Sequence, residues 1–260
     1  MTGPVLSACD ISMVFGGVVA LDKASIDVKP GHVFGLIGRN GSGKSTLFNC
    51  LTGFLAPSSG KVLLDGKDIT GHEPHEVLNA GVARTFQTPR IDFNTTARDA
   101  VLCGLYSQVK HGFVSSLLGL PSAMREEREL HTRADAVVDR LHMGSWASSR
   151  ISKLSMGRVR SVEVARAIAA DARYLLLDEP AAGLGREEMK VLAAEIRALA
   201  DRGMGVLLVE HNFSLIRMLC EEVTVLDAGA VIFKGTAECA SRDERVKQLY
   251  LGTSATGEAK

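Results

Sequence analysis

Apolar residues recur along this chain with more than one period. Over residues 5–13 and 24–28 they alternate with polar ones, which predicts half-buried antiparallel strands separated by a break at Gly16-Gly17. His32-Val33-Phe34-Gly35-Leu36-Ile37 is a short continuous apolar run flanked by glycine, the pattern of a strand buried on both faces. Residues 44–52 place Leu47 and Leu51 four apart on one helical face, and Gly53 supplies the stop. Val62-Leu63-Leu64 and Lys67-Asp68-Ile69 flank Asp65-Gly66, a hairpin signal.

The last third alternates strand and helix. Tyr174-Leu175-Leu176-Leu177 predicts a buried strand, and residues 187–202 a helix with Leu192, Ile196 and Leu199 on one side. Residues 205–209 predict a second buried strand and 212–220 a second helix. A closing hairpin joins 223–226 to 231–233 through Asp227-Ala228-Gly229. Between the two ends, residues 91–170 differ in character. Pro121 opens a charge-rich stretch in which Leu130, Ala134, Val137 and Leu141 recur at helical spacing, a helical insertion. Strands alternating with helices predict an α/β fold with a mainly parallel sheet covered on both faces. Residues 253–260 are small and polar, and a flexible tail is expected there.

Composition changes this picture little. The 260 residues are 46% hydrophobic and 23% charged, ordinary for a globular protein. Thirty basic residues balance 30 acidic ones, which gives no electrostatic footprint for nucleic acid. Cys9, Cys50, Cys103, Cys220 and Cys239 form no CxxC pair, so reduced and mostly buried thiols are expected in place of a metal site or disulfide framework. No stretch approaches the ~18 apolar residues that span a bilayer, and the first ten residues lack the pattern of a secretion signal. His72-Glu73-Pro74-His75 is expected to be a polar loop, and the charged run 125–129 a solvated helix face.

Four segments carry chemistry. Gly38-Arg39-Asn40-Gly41-Ser42-Gly43-Lys44-Ser45 matches GxxxxGK[ST] and lies between a predicted strand and a predicted helix. Its glycines let successive N–H groups turn onto phosphate oxygens, Lys44 sets a cation on the outer phosphates, and Ser45 offers a hydroxyl to Mg²⁺. Binding of a nucleoside triphosphate follows. Leu175-Leu176-Leu177-Asp178-Glu179-Pro180 ends an apolar strand in two acids at a sheet's carboxyl edge. There Asp178 would hold Mg²⁺ and Glu179 would polarise the attacking water; alone, the stretch could equally be an acidic turn. His211 ends another buried strand and could contact the γ-phosphate, though a lone histidine is usually structural. Ser155 and Gly157 precede a helix and could form a second anion site or a plain N-cap.

In this order the four segments resemble the ATP-binding cassette (ABC) family from about residue 5 to 252, and within it the ATP-binding subunits of branched-chain amino-acid importers. The likeness is carried by Phe15-Gly16-Gly17, the loop at 38–45 with Thr46-Leu47-Phe48-Asn49, and Leu51-Thr52-Gly53-Phe54. Ala83-Arg84-Thr85-Phe86-Gln87, Glu179-Pro180-Ala181-Ala182-Gly183-Leu184, Val209-Glu210-His211-Asn212 and the closing residues 247–252 add to it. The resemblance implies a P-loop NTPase (RecA-like) core with an antiparallel β subdomain, formed by residues 1–90 and 171–252. A helical subdomain at 91–170 would carry the signature segment.

It also implies roles that spacing does not give. Phe15 would stack on adenine, and Thr46 would join the phosphate contacts. Gln87 would reach Mg²⁺ and water beside Ser45 and Asp178, in a catalytic set with Glu179 and His211. Ser155 and Gly157 would touch ATP held by a second ATPase subunit, identical or different. Implied partners are integral-membrane permease subunits and, through them, a solute-binding protein, with no nucleic acid. The chain would sit on the inner face of the cell membrane. Three positions depart from the family pattern: Met156 and Arg158 in the signature, and Gly185, where Asp or Asn is usual. Arg158 and Gly185 motivate one alternative, a low-turnover ATP-binding structural subunit. The ATPase of a related export system, such as one for lipopolysaccharide, is another.

Overall fold

The computed structural model describes residues 5–86, 90–106, 121–210 and 213–251. Gln87, His211 and Asn212 lie outside them. Two sheets organise the described chain. The first is antiparallel, in the order β2-β1-β4-β5. β1 (Leu6–Phe15) and β2 (Val18–Val28) pair across the Gly16-Gly17 turn, and β4 (Ser59–Leu64) meets the short β5 (Lys67–Asp68) across Asp65-Gly66. The expected strand at 24–28 therefore begins six residues earlier, at Val18. The exposed Val18 and Val19 break the alternation there, but the ladder to β1 holds them in the strand.

The second sheet has six strands in the order β10-β9-β3-β8-β7-β6. β3 (Val33–Gly38) lies between β8 (Gly205–Val209) and β9 (Glu222–Asp227), parallel to both. β7 (Tyr174–Asp178) runs parallel to β8, and β6 (Val82–Arg84) forms one edge. β10 (Ala230–Gly235) closes the other edge antiparallel to β9. Every residue of β3, β7 and β8 is buried, as their unbroken apolar runs require.

Alternate residues of these strands feed two cores. Leu36, Leu176 and Leu207 pack with the antiparallel sheet and with Leu47, Phe48 and Leu51 of α1 (Lys44–Leu51). Ile37, Leu175, Leu177 and Leu208 face the opposite way. They join a core built with α3 (Ala97–Leu105), α4 (Pro121–Arg140), α5 (Met156–Ala169), α6 (Arg186–Asp201) and α7 (Phe213–Leu219). Leu130, Ala134 and Val137 are the buried stripe of α4. Two short helices, α8 (Ala237–Arg242) and α9 (Glu244–Leu251), follow β10. No described helix is long and apolar enough to cross a membrane.

Two expectations need correction. Residues 72–75 are not simply a polar loop: α2 (Pro74–Asn79) starts at Pro74, and the Glu73 N–H donates to Glu76 Oε2 at 2.9 Å. Proline at the first helical position lacks only an N–H that the helix would leave unpaired, so it opens this helix. The thiols are also not mostly buried. Cys50 and Cys220 are, whereas Cys9 is half-buried and Cys103 and Cys239 are exposed.

Candidate functional site

The phosphate-binding loop leaves the carboxyl end of β3 and runs into α1. Its tightness is steric. A Cβ on Gly38 would stand 2.3 Å from the Leu226 carbonyl oxygen, and one on Gly43, at φ 104°, 2.7 Å from that of Ala20. Neighbouring strands thus wall the loop in, and a side chain at either position would push it open. Ser42 is buried, its N–H donates to the Arg39 carbonyl at 3.1 Å, and its Oγ has no hydrogen-bond partner among the described residues. Lys44 is folded along the loop, with Nζ donating to the carbonyls of Gly38 at 2.8 Å and Arg39 at 2.9 Å. Burial lowers the Lys44 pKa, while the Glu179 and Asp178 carboxylates oppose that shift. Arg39, Asn40, Gly41 and Ser45 are exposed, and Thr46 is half-buried in the first turn of α1.

Asp178 closes β7 and is buried; its N–H donates to the Thr85 hydroxyl at 2.9 Å. Burial raises the Asp178 pKa, the Arg84 guanidinium pulls it back down, and Glu179 pushes it up again. Glu179 follows in a left-handed conformation at φ 49°, and its N–H donates to the Val209 carbonyl at 2.9 Å. The strained backbone turns Glu179 off the strand axis at the sheet's carboxyl edge, the edge from which the phosphate loop also emerges.

Arg84 and Thr85 organise the wall behind these acids. The Arg84 guanidinium donates to Asn49 Oδ1 at 2.8 Å and Thr52 Oγ1 at 2.9 Å, both on α1 or just after it. It lies 4.6 Å from the Phe86 ring centroid and 5.2 Å from that of Phe54. Glu163 of α5, buried, accepts the N–H of Phe86 at 3.3 Å and of Arg90 at 3.5 Å. The residues on either side of 87–89 are thereby tied to α5. Burial raises the Glu163 pKa, and those two N–H groups lower it.

Ser155 is the N-cap of α5, and its Oγ accepts the Arg158 N–H at 3.4 Å. Gly157 is buried against the loop after Glu179: a Cβ there would lie 2.3 Å from the Gly183 carbonyl oxygen. Arg158 is exposed and leans over Trp146, 5.4 Å from the ring centroid. Gly185 is the N-cap of α6 and supplies no side chain; only the return bond of a capping box is present, from its N–H to Glu188 Oε2 at 2.9 Å. Phe15 ends β1 and is 47% exposed, open to a flat ligand.

The loop, Lys44, Asp178 and Glu179 thus converge, with Lys44 sensing both carboxylates, whereas Ser155 and Gly157 sit on a separate helix N-terminus. Arg84, Thr85 and Glu210 lie in stretches that carry the family resemblance, but the resemblance assigns them no role. Glu210 was visible as an acid directly after an apolar strand, and the other two lie on a strand too short to show a period. A triphosphate fits this cradle: two glycines no side chain could replace, a buried hydroxyl without a partner, and a lysine over the loop. Mg²⁺ fits as well. It favours one or two carboxylates plus hydroxyl, water and phosphate oxygens, and Asp178 and Ser45 are such donors. An all-protein cage is absent, since no described group of three or more His, Cys, Asp or Glu could hold a metal.

The chain matches the family model described as "ABC transporter" over residues 21–182. It is 34% identical to the high-affinity branched-chain amino acid transport ATP-binding protein BraF of Pseudomonas aeruginosa, over 97% of this chain and 99% of that one. Identity to LivG of Escherichia coli K12, which bears the same description, is 35% over 97% and 99%. Among solved structures, a nucleotide-free ATP-binding cassette from an ABC transporter is 30% identical with a TM-score of 0.81, covering 95% of this chain and 98% of that one. Another cassette, in its ADP conformation, also scores 0.81 at 30% identity, over 97% and 100%.

Proposed function

This chain belongs to the ABC transporter family, and from that premise we propose that it is the ATP-binding and ATP-hydrolysing subunit of an importer for branched-chain or related amino acids. The observation that supports the reading most is that the phosphate loop after β3 and Asp178-Glu179 at the end of β7 leave the same carboxyl edge of one parallel sheet, in a chain that matches relatives named for that transport over 97% of its own length and 99% of theirs.

Each residue then has a chemical task. The loop N–H groups and the N-terminus of α1 take the phosphates, and Lys44 leaves its carbonyl partners to neutralise the outer ones. Mg²⁺, held by Ser45, Asp178 and Gln87, would spread the charge of the β- and γ-phosphates. Glu179 polarises the attacking water, His211 meets the γ-phosphate, and Phe15 stacks on adenine. In this reading residues 91–170 form the helical lobe, and 1–90 with 171–252 the nucleotide core. Ser155 and Gly157 close over ATP held by a second ATPase subunit. Permease subunits in the membrane follow that closure, and a solute-binding protein feeds them.

The test is ATP turnover by the purified chain assembled with its permease partners, with and without Mg²⁺. Glu179→Gln should lower kcat by at least ~10²-fold while ATP still binds. A Glu179→Gln rate equal to wild type defeats the motor reading. It would favour the alternative that the Arg158–Trp146 contact and the bare N-cap at Gly185 motivate, an ATP-binding subunit of low turnover.

A further inference from the structure

The turn that carries Glu179 is held from one side by the end of β8. In the parallel ladder Asp178 pairs with Val209, so Glu179 and Glu210 are the next residues on their strands. The Glu179 N–H donates to the Val209 carbonyl at 2.9 Å. Pro180 has no N–H to give. The next donor, the Ala181 N–H, goes to Glu210 Oε1 at 2.9 Å, a bond buried at both ends. Both N–H groups of Glu179-Pro180-Ala181 therefore end on consecutive residues at the same strand end.

That matters because Glu179 is a non-glycine residue at φ 49°. The left-handed region costs such a residue about 1–2 kcal/mol, and strain of this kind persists only where the surroundings over-determine it. Glu210 is itself 6% exposed, an acid buried at the strand end next to the one that carries the buried Asp178 and the half-buried Glu179. Packing alone would favour an apolar residue there. A buried carboxylate is retained at such a position for what it accepts, here the amide one residue beyond the proline.

We propose that Glu210 is a positioning residue for hydrolysis: it clamps the Glu179-Pro180-Ala181 turn to the end of β8 and so sets the direction of the Glu179 carboxylate. The proposal rests on Glu179 polarising the attacking water. The two bonds of the clamp run between the ends of β7 and β8 and not to the phosphate loop, so ATP binding is expected to survive its loss. The side chain at 210 needs only an acceptor oxygen at the right distance, and a glutamine amide provides one.

Kinetics of the assembled transporter, with equilibrium binding of ATP, test this on Glu210→Met, Glu210→Ala, Glu210→Gln, Glu179→Gln and the double variant Glu179→Gln/Glu210→Met. Loss of the acceptor should lower kcat by ~10²-fold, the scale of a 1 Å misplacement, with the ATP Kd within about twofold of wild type. Glu210→Gln should keep kcat within about threefold. The double variant should be no slower than Glu179→Gln, since residues acting as a unit are non-additive. The proposal is overturned if Glu210→Met keeps the wild-type kcat, if Kd weakens as much as kcat falls, or if Glu210→Gln falls as far as Glu210→Met. Glu210→Ala serves if the methionine variant does not fold, and the glutamine comparison stands with either. Glu179→Gln with wild-type turnover defeats the reading of Glu179 itself, and this proposal with it. An inactive Glu179→Gln beside an active Glu210→Met defeats only the clamp.

Discussion

Arg84→Ala would remove the cation around which β6, α1 and two phenylalanines are assembled. Three hydrogen bonds go with it, to Asn49 Oδ1, Thr52 Oγ1 and the Thr85 carbonyl, together with the stacking on Phe86 and Phe54. A hydrogen bond from a charged donor is worth about 1.5–3 kcal/mol and an aromatic contact about 0.5–2, but these do not sum. Thr52 keeps its own bond to the Phe48 carbonyl at 2.6 Å, and the guanidinium carries a burial cost that lowers its pKa and disappears with it. The balance is a loss of about 3 kcal/mol, near the lower end for breaking a buried charged network. For a chain of this length that is about 6–12 °C in Tm. Arg84→Met refills the space between the rings and sheds the burial cost, so about 1–2 kcal/mol is expected. Arg84→Lys keeps the charge and loses the fork, which cannot reach Asn49 and Thr52 together. Urea unfolding followed by circular dichroism measures all three, with an unchanged m-value as the check that only stability moved. If alanine unfolds within about 1 kcal/mol of wild type, or no lower than methionine, the pinning role is refuted.

Two further outcomes follow from single contacts. Gly157→Ala places a methyl group 2.3 Å from the Gly183 carbonyl oxygen. Since backbone must shift, a destabilisation of about 1–3 kcal/mol is expected, and ATP turnover should fall while nucleotide binding to the isolated chain is kept; full turnover would show that the loop yields without consequence. Burial pushes the Cys50 thiol from 9.0 to about 11 and that of Cys220 to about 12. Their folded pKa values are raised, so this stability is complete below pH 9 and is lost as pH climbs toward 11 and 12. Cys50→Ala/Cys220→Ala should flatten the alkaline fall of the unfolding free energy by several kcal/mol, at about 1.4 per unit; an unchanged slope contradicts the assignment.

Much of this architecture is written in apolar periodicity. β3, β7 and β8 are buried on both faces and so appear as unbroken apolar runs, while α4 and α6 are long enough for their stripes to repeat. What periodicity misses is either short or settled by partners far away in sequence. β6 has three residues and is a strand because β7 lies beside it. The exposed start of β2 is a strand because β1 pairs with it, and α2 opens on a proline whose helical role depends on Glu73 and Glu76. The site divides in the same way. Phosphate chemistry needs a contiguous loop, so residues 38–45 announce themselves. Arg84 and Glu210 act through bonds to elements distant in the chain, Asn49 and Thr52 for the one and Ala181 for the other, and no local period assigns them that role.

The neighbours of β3 carry a consequence for how the protein is made. Both strands that flank it, β8 and β9, belong to the last third of the chain. The turn after β9 completes the cradle: the Gly229 N–H donates to the Ser42 carbonyl at 3.0 Å, and its own carbonyl accepts the Asp22 N–H at 2.9 Å. A nascent chain that has emerged through residue 90 therefore carries the whole phosphate motif and neither of its flanking strands. Contacts so distant along the chain form late and slowly. The walls of the phosphate cradle that β8, β9 and Gly229 supply are therefore complete only once residue 229 has left the ribosome.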